Sequence, residues 1–207
     1  MILTLTGSSG AGKTTIARDL LKNFPINVGM VPSYTTREQR ETDITGEYEY
    51  VDKPTFKWLK ETQAFLWTVH PHGNNYGTTK SWAQKALGDD DTIYIMILTP
   101  EGVKKLRDFA KGNGYYNKVF SFFILSPSEK VLRERLELRG DYEEDIEKRI
   151  KDCIKWDSEA LSTREFYFGF VENEKSVEVA ADMIEPFSEK NWVNQRVFSK
   201  DTKCQTP

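Results

Sequence analysis

The sequence predicts a three-layer α/β/α domain built on a parallel sheet, with a small β-rich insert. Apolar segments of strand length alternate with segments whose apolar residues recur at helical spacing. The segment Thr92–Leu98 is almost wholly apolar, which is typical of a strand covered by helices on both faces. The alternation is interrupted once, at about residues 33–78, where the segments are shorter and more polar. One core domain that carries one insert is therefore expected.

The composition is that of a folded, soluble domain. The chain has 207 residues, of which 38% are apolar and 13% aromatic, enough to bury the core of one domain. The formal net charge of −3 argues against binding to nucleic acid or to an anionic membrane. No segment approaches the roughly 20 apolar residues that span a bilayer, and the N-terminal Leu-Thr alternation is not a signal peptide. Cys153 and Cys204 suggest neither a disulfide framework nor a metal site. We expect a cytoplasmic protein without nucleic-acid or membrane partners.

The chain begins as a strand, a glycine-rich loop and a helix. Met1–Thr6 is apolar and β-branched, and the apolar residues of Thr14–Lys22 recur at helical spacing. A second strand is expected at Asn27–Val31, where Pro32 ends it. The insert then contains a long polar loop, a short strand, a short helix, a strand and a turn, at Ser33–Gly46, Tyr48–Val51, Thr55–Thr62, Ala64–Val69 and His70–Tyr76.

The rest of the chain alternates regularly between helices and strands. Helices are expected at Thr79–Leu87, Glu101–Lys111, Ser128–Leu138, Tyr142 to about Leu161, and Val177–Phe187. Strands are expected at Thr92–Leu98, Lys118–Leu125 and near Phe166–Val171. The tail after Glu189 has no regular pattern. Because helices connect successive strands, the sheet of the core is expected to be parallel.

The loop between the first strand and the first helix matches a phosphate-binding motif. Residues Gly7 to Thr14 read Gly-Ser-Ser-Gly-Ala-Gly-Lys-Thr, which fits the P-loop pattern G-x-x-x-x-G-K-[ST]. The glycines let backbone N–H groups turn towards a phosphate, and the following helix adds the positive end of its dipole. Lys13 is expected to reach the β- and γ-phosphates, and the Thr14 hydroxyl to bind Mg²⁺. Because a strand precedes the motif and a helix follows it, a nucleoside triphosphate site is favoured over a plain Gly/Ser turn.

The polar loop of the insert carries two closely spaced arginines. Arg37 and Arg40 lie three residues apart, a spacing that suits a phosphate dianion because each guanidinium can hold two oxygens. A solvated basic segment is the alternative that the spacing alone leaves open. The hydroxyls of Tyr48 and Tyr76 are further phosphate donors, although an aromatic residue beside a turn more often serves packing.

Together these segments resemble the guanylate kinase family over roughly residues 2–187. The matching segments occur in family order: the loop at 7–14, Ser33-x-Thr35-Thr36-Arg37-x-x-Arg40, Gly46 with Tyr48, Tyr76-Gly77-Thr78, Gly102, Arg135-Leu136-x-x-Arg139-Gly140, Arg149 and Asn173. The resemblance implies a domain at 1–190, with a core at 1–32 and 79–190, a nucleoside-monophosphate-binding insert at 33–78 and a helical lid at about 135–150. A C-terminal tail follows at 191–207. It also implies ATP-dependent phosphoryl transfer to a (deoxy)nucleoside 5′-monophosphate with Mg²⁺, GMP or dGMP being the default acceptor.

The resemblance also assigns roles to individual residues. The catalytic residues would be Lys13, Arg135, Arg139 and Arg149. ATP would be bound by Gly7, Ser9, Gly10, Ala11, Gly12, Lys13, Thr14, Thr15 and Asn173, with Thr14 as the metal ligand. The acceptor would be bound by Ser33, Arg37, Arg40, Tyr48, Trp67, Tyr76 and Thr78. Clustered cations suit this chemistry because phosphoryl transfer depends on positioning and on neutralising the equatorial oxygens. Without the resemblance, the lid arginines would be interpreted as a solvated helix face.

Three departures from the family concern the base of the acceptor. Trp67 stands where the family has an acidic residue that reads guanine, and Ile97 and Thr99 stand at acidic positions of the strand Thr92–Leu98. An indole offers one donor and no acceptor, and each unpaired polar edge of guanine would cost on the order of 1–3 kcal/mol. Base specificity is therefore expected to be altered or relaxed. Trp67 would stack on the base or narrow its pocket, favouring a pyrimidine or a modified deoxynucleotide, unless it is a core residue.

Further details of the acceptor site are left open by the sequence. His70 and His72 are possible new polar contacts of the base, although each is more simply an exposed turn residue. The loop before Tyr48 is one residue shorter than usual, so Tyr48 or Tyr50 would contact the phosphate, and the spacing to Phe56 favours Tyr48. The sequence allows a monomer or a homodimer.

Two other functions are compatible with the fold. A ribose 1,5-bisphosphate kinase would share the loss of the guanine-reading acid, but Arg37, Arg40 and Tyr48 favour a nucleotide acceptor. A non-catalytic guanylate-kinase-like binding module would generally lack a working P-loop, whereas Gly12-Lys13-Thr14 is intact. A kinase acting on bases in DNA is disfavoured by the acidic net charge.

Overall fold

The computed structural model describes residues 1–23, 27–41, 43–70, 73–173, 179 and 182–183. Its strands are β1 (Ile2–Gly7), β2 (Val28–Met30), β3 (Ser33–Thr35), β4 (Tyr48–Tyr50), β5 (Phe65–Val69), β6 (Tyr76–Thr79), β7 (Ile93–Ile97), β8 (Val119–Leu125) and β9 (Gly169–Glu172). Its helices are α1 (Lys13–Asn23), α2 (Lys53–Glu61), α3 (Lys80–Gly88), α4 (Pro100–Gly112), α5 (Glu129–Leu138) and α6 (Glu143–Ser162), with short 3₁₀ turns at Tyr116–Lys118 and Arg164–Phe166. Within these residues no helix is long and apolar enough to cross a membrane.

The core is a five-stranded sheet in the order β2-β7-β1-β8-β9, and all of its strand pairs are parallel. Leu3 and Leu5 of β1 pack into an apolar cluster with α1 on one face. Ile2 of β1 and Met96 of β7 belong to a second cluster on the other face, together with buried residues of α3 and α4. Helices therefore cover both faces, and the predicted three-layer α/β/α fold with a parallel sheet is confirmed.

A second, four-stranded sheet in the order β4-β3-β6-β5 forms beside the core. The β3–β4 pair is parallel, whereas β6 is antiparallel to both β3 and β5. The strands β3 and β6 differ from the sequence prediction, which placed residues 33–46 in a loop and Tyr76 in a turn. Their residues are mostly Ser, Thr, Tyr and Gly, so they lack the apolar alternation that marks a strand. Pairing with neighbouring strands, which the local sequence does not reveal, makes them strands.

Side-chain caps fix where several helices begin. The Asp52 carboxylate accepts the Thr55 N–H at 2.8 Å at the start of α2. The Thr79 hydroxyl accepts the Trp82 N–H at 3.4 Å at the start of α3. The Thr99 hydroxyl accepts the Gly102 N–H at 3.2 Å, so α4 begins directly beyond the carboxyl end of β7.

The last two long helices pack against each other. Leu132 and Leu136 of α5 form a small apolar cluster with Ile146, Ile150 and Cys153 of α6. This cluster packs the two helices side by side. As a result, Arg135 of α5 and Arg149 of α6 lie next to the glycine-rich loop. The other core helices and strands predicted from the sequence are confirmed within about two residues at most ends. The predicted helix Val177–Phe187 and the tail 191–207 lie outside the described residues, apart from helical residues 179, 182 and 183.

Candidate functional site

The glycine-rich loop connects β1 to α1 and is closed by Asn173. Gly10 and Gly12 have φ values of +84° and +94°, in the left-handed region that other residues rarely adopt. A Cβ atom on Gly12 would lie 1.8 Å from the Asn173 amide nitrogen. That nitrogen donates to the Ala11 carbonyl at 2.8 Å, so a hydrogen bond joins the loop to the residue that follows β9. Glycine is therefore required at residue 12.

Lys13 folds back across the loop. Its Nζ atom donates to the carbonyls of Gly7 and Ser8, at 2.8 and 2.7 Å. Burial lowers the pKa of the Lys13 ammonium group to about 8, with the nearby Arg139 guanidinium acting in the same direction and Cys153 and Glu47 acting against it. A phosphate in the loop would replace the two carbonyls as the partner of Nζ and would stabilise the charged amine. Lys13 is thus a buried cation whose two hydrogen-bond acceptors in the loop are neutral carbonyls.

Three arginines of α5, α6 and the turn between them converge on the same loop. The Nη1 atoms of Arg149 and Arg139 donate to the Ser9 hydroxyl, at 2.9 and 3.3 Å respectively. Arg135 donates to the Gly10 carbonyl and to the Asn173 carbonyl, each at 3.2 Å. The three guanidiniums and Lys13, which are far apart in the sequence, therefore lie around one short loop. Such an arrangement of cations suits the several negative charges of a polyphosphate.

Asp141, which the sequence did not single out, orients two of these arginines. It lies in the turn between α5 and α6, accepts a hydrogen bond from Arg139, and lies 3.8 Å from Nε of Arg149. The charge pattern Arg139-Gly140-Asp141 was the available signal for this contact. Thr14 and Thr15 complete the loop region at the start of α1, where Thr14 is half-buried and Thr15 is exposed.

A network of hydroxyls and one carboxylate ties α6 to the start of the loop. The Ser8 and Ser126 hydroxyls are 2.7 Å apart, and Asp157 of α6 accepts the Ser126 N–H at 3.0 Å and its hydroxyl at 3.2 Å. Burial raises the pKa of the Asp157 carboxyl above its ordinary value. Sequence reasoning missed this network because no local motif connects the three residues.

The insert brings several predicted acceptor residues together. The Arg37 guanidinium lies over the Tyr48 ring, 5.0 Å from its centroid, and the rings of Tyr48 and Tyr76 are 6.1 Å apart. Burial and the adjacent Glu47 carboxylate raise the pKa of the Tyr48 hydroxyl, so Tyr48 is a hydrogen-bond donor at any ordinary pH. Burial likewise raises the pKa of Glu47.

Arg37 is paired with Asp43, a partner that was not predicted from the sequence. Its two carboxylate oxygens accept Arg37 Nη2 at 2.8 and 2.9 Å, and the Tyr50 hydroxyl donates to the same carboxylate at 2.6 Å. Burial alone would raise the pKa of Asp43, but these bonds and the Arg40 backbone N–H hold that pKa below its ordinary value. The side chain of Arg40 is exposed and makes no hydrogen bond or ion pair with the described residues.

The predicted base-side residues lie where β5 meets β6. Thr78 pairs with Trp67 across these strands, and the Thr78 and Ser33 hydroxyls are 3.2 Å apart. Trp67 is only 5% exposed and belongs to the apolar cluster that contains Met96 and Leu98. Its indole nitrogen has no hydrogen-bond partner among the described residues. Trp67 is thus a buried core residue on the same face of the insert sheet as Thr78.

The other base-side positions contribute no acidic group. Ile97 is half-buried against the α1 side of the core, and Thr99 caps α4. The His70 ring lies 3.0 Å from the Asn75 side-chain oxygen in an exposed turn, and His72 lies outside the described residues. The carboxyl ends of β5 and β7 therefore carry neither Asp nor Glu at these positions.

A cavity of about 260 Å³ separates these strand ends from α6. Ser8 and Ser9 of the loop form one wall. Val69 and Thr99 lie at the strand ends, and five side chains of α6 close the opposite side: Asp145, Lys148, Arg149, Asp152 and Trp156. The cavity therefore lies between the glycine-rich loop, the insert and the long charged helix.

Comparison with known proteins gives concordant matches over most of the chain. A family model described as guanylate kinase matches residues 1–190. Guanylate kinase of Nitrosomonas europaea is 35% identical over 151 residues, which cover 72% of this chain and 71% of that protein. Guanylate kinase of Helicobacter pylori is 33% identical over 180 residues, covering 86% and 83%. The crystal structure of guanylate kinase from Anaplasma phagocytophilum matches with a TM-score of 0.60 at 25% identity, covering 88% of this chain and 81% of that one.

Proposed function

This chain belongs to the guanylate kinase family and is an ATP-dependent P-loop nucleoside monophosphate kinase; we propose that GMP or dGMP is its default acceptor and that its base selectivity is altered or relaxed. The proposed phosphoryl transfer is supported by the arrangement of three cations. Arg139 and Arg149 both donate to the Ser9 hydroxyl, and Lys13 lies directly beside them. The proposed change in base selectivity is supported by Trp67, a buried and uncharged residue that pairs with Thr78 across β5 and β6.

The cationic side chains have distinct roles in the proposed transfer. Lys13 exchanges the Gly7 and Ser8 carbonyls for oxygens of the β- and γ-phosphates. Arg139 and Arg149 neutralise the equatorial oxygens while an oxygen of the acceptor phosphate attacks the γ-phosphorus. The new P–O bond forms as the bond to the β,γ-bridging oxygen breaks, so ADP leaves and a nucleoside diphosphate results. No general base is needed because the attacking phosphate oxygen is already ionised.

The donor set around the loop fits Mg²⁺ bound together with nucleotide. Within the described residues, no group of three or more His, Cys, Asp or Glu side chains could hold a metal ion on its own. The half-buried Thr14 hydroxyl at the start of α1 would be the protein ligand, with phosphate oxygens and water completing the hard oxygen set that Mg²⁺ prefers. Bound there, Mg²⁺ would neutralise charge on the β- and γ-phosphates.

The proposed role of Arg37 gives a specific expectation for the acceptor. In the free enzyme Arg37 is paired with Asp43, so the acceptor phosphate must share or replace that partner. Replacing Arg37 with Met removes up to two charge-assisted hydrogen bonds and is expected to raise KM for the nucleoside monophosphate on the order of 10- to 100-fold. Steady-state kinetics with each substrate varied in turn measures this effect. An equal rise in KM for ATP would show that Arg37 does not act on the acceptor.

The low pKa of Lys13 predicts how ATP binding depends on pH. With a free-enzyme pKa of about 8, Lys13 is charged below that pH and neutral above it. Bound triphosphate stabilises the charged amine, so binding above pH 8 requires proton uptake. The affinity for ATP is expected to be flat below about pH 7 and to fall towards tenfold per pH unit above the free-enzyme pKa. Calorimetry across this range measures it, and Lys13→Met should remove the dependence. A flat profile for the unmodified enzyme would contradict this assignment.

The absence of acidic side chains at positions 67, 97 and 99 supports the altered base selectivity. A carboxylate can accept two N–H bonds from guanine, whereas Trp67 offers one donor and no acceptor. Ile97 and Thr99 supply no carboxylate either, and the Thr99 hydroxyl is used as a helix cap. The retained Ser33 and Thr78 hydroxyls can donate to several bases and do not compensate for the missing charge. The strand side of the site therefore discriminates weakly among bases.

A substrate panel tests this proposal. ADP release from Mg·ATP is measured with ribo- and deoxynucleoside monophosphates and with ribose 1,5-bisphosphate, and the Lys13→Ala protein serves as the blank. Turnover of several monophosphates within about tenfold of one another is the expected result, because each lost hydrogen bond corresponds to one to two decades of specificity. Exclusive turnover of GMP or dGMP would contradict the altered selectivity, and turnover of ribose 1,5-bisphosphate alone would replace the proposed acceptor class. No turnover above the blank would contradict the kinase activity.

A further inference from the structure

One face of α6 packs on the glycine-rich loop and on the residue that follows β8. Arg149, Cys153 and Asp157 are spaced four residues apart, so they lie along one face of the helix. Arg149 donates to the Ser9 hydroxyl, and the Cys153 thiol lies 3.9 Å from the Ser9 carbonyl oxygen. Asp157 lies about 12 Å further along the helix than Arg149 and contacts Ser126. The helix is therefore held by a carboxylate at a place separate from its transfer arginine.

Asp157 directs both of its carboxylate oxygens at a single residue. One oxygen accepts the Ser126 N–H at 3.0 Å, and the other accepts the Ser126 hydroxyl at 3.2 Å. Among the described residues Asp157 forms no ion pair, and burial raises the pKa of its carboxyl. A partly buried carboxylate without a cation is unfavourable unless it is hydrogen-bonded. The two hydrogen bonds from Ser126 therefore stabilise the ionised form of Asp157.

The hydroxyl groups between α6 and the loop form a chain with one direction. Ser8 and Ser126 directly follow β1 and β8, which are adjacent parallel strands. An ionised carboxylate can only accept, so the single hydroxyl proton of Ser126 points to Asp157. The Ser126 oxygen is then the acceptor for the Ser8 hydroxyl, which lies 2.7 Å away. Ser8 is only 3% exposed, so water does not compete for this bond.

Ser8 lies between the partners of three cations of the transfer site. Its carbonyl accepts the Lys13 amine at 2.7 Å. The next residue, Ser9, carries the hydroxyl to which Arg139 and Arg149 both donate. A change in the orientation of Ser8 would therefore displace the groups that hold all three cations at the loop.

We propose that Asp157 is a positioning residue for phosphoryl transfer, and that it acts through Ser126 to hold Ser8 and the start of the loop in place. This inference rests on the proposed kinase function and deepens it. Asp157 acts on the reacting groups through the loop and not by contact with nucleotide. Its effect belongs to the transfer step and not to acceptor binding, because the proposed acceptor residues lie in the insert.

Asp157→Asn tests the direction of the hydroxyl chain with little change in shape. The amide oxygen can still accept the Ser126 N–H, but the amide nitrogen donates to the Ser126 hydroxyl and reverses the chain. The variant is expected to lower kcat about tenfold, the effect of losing a hydrogen bond to a charged group, with KM for the monophosphate unchanged. Ser126→Ala should lower kcat similarly, whereas Ser126→Thr keeps the hydroxyl and should retain kcat. Steady-state kinetics with the most active monophosphate measures these values.

A double-variant cycle separates the hydroxyl chain from general destabilisation. Ser8→Ala and Asp157→Asn break the same chain, so the double variant is expected to lose no more kcat than either single variant. Losses that multiply in the double variant would show that Ser8 and Asp157 act independently, and would overturn the proposal. An unchanged kcat in Asp157→Asn would overturn it as well.

Glu159→Gln and Ser128→Ala are the matched controls. Glu159 is an exposed residue of α6, so its replacement makes the same change of charge on the same helix. Ser128 is exposed, two residues from Ser126, and its hydroxyl does not cap α5. Both variants are expected to keep the kcat of the unmodified enzyme, and an equal loss in Glu159→Gln would assign the effect to the charge of α6 and overturn the proposal. Failure of the unmodified enzyme to phosphorylate any monophosphate would instead remove the proposed function.

Discussion

Replacing Lys13 with alanine is expected to lower kcat about 10³-fold, because preorganised charges aimed at the transferring phosphate have effects of this size. Lys13 is the cation that spans the loop, bonded to the Gly7 and Ser8 carbonyls. Those carbonyls lose their side-chain donor in the variant, and the phosphates lose a charge that no neighbouring group can supply at the same place. Rapid-quench or steady-state kinetics at saturating substrates measures the loss in kcat.

Lys22→Ala is the matched control for this experiment. Lys22 is the basic residue in the last turn of α1, at the opposite end of the helix from the loop. Its removal takes away the same charge and leaves kcat unchanged. If Lys13→Ala retained more than about a tenth of kcat while Lys22→Ala behaved as expected, the loop would not be the site of transfer.

Replacing Arg149 with alanine is expected to lower kcat about 10³-fold, the lower end of the range for arginines that stabilise phosphoryl-transfer charge. Arg149 donates to Ser9 and is held by Asp141, so its guanidinium is already positioned at the loop. Arg149→Lys keeps the charge but loses the planar fork and should recover only part of the rate. Single-turnover kinetics with both substrates bound separates this effect from binding.

Arg133→Ala is the appropriate control for the Arg149 variants. Arg133 lies on α5, close in sequence to Arg135, but its guanidinium pairs with Glu143 and Glu147 on α6 and does not contact the loop. The variant should keep its kcat even if the packing of α5 on α6 is slightly weakened. Equal losses in Arg149→Ala and Arg133→Ala would mean that the packing of α5 on α6, and not charge at the loop, limits the rate.

Local patterns were sufficient to predict the core of the fold. The strands β1, β7 and β8 are buried on both faces and are therefore nearly continuous apolar segments, and the amphipathic helices between them show a clear period. The strands β3 and β6 could not be predicted in this way, because they carry polar side chains such as Ser33 and Thr78 towards the site. Their strand character depends on pairing with each other, which is a long-range property.

The same distinction applies to the site. Lys13 and the glycines around it follow a contiguous motif, so the sequence indicated them directly. The partners Asp43 and Asp141 lie in turns, where an acidic residue is common and carries no specific signal. Asp157 reaches the loop through Ser126, whose hydroxyl lies 2.7 Å from that of Ser8. The contact of Asp157 depends on the packing of α6 against the loop, which no local pattern specifies.

The surroundings of Trp67 could not be predicted from its sequence position. Its sequence position allowed either a base contact or a core residue. The ring is buried among apolar side chains, yet it lies on the same face of the insert sheet as Thr78. Trp67 therefore places no carboxylate on the strand side of the site, and its indole nitrogen forms no hydrogen bond with the described residues.

Transfer of a labelled phosphate is the most direct test of the central assignment. The enzyme is incubated with Mg·ATP carrying a radioactive γ-phosphate and with a nucleoside monophosphate, and the products are separated and degraded to locate the label. The label is expected in the β-phosphate of the nucleoside diphosphate formed from the acceptor, and Lys13→Ala is expected to abolish this product. Label recovered only as inorganic phosphate, or on an acceptor without a base, would show that the chain does not transfer the γ-phosphate to a nucleoside monophosphate.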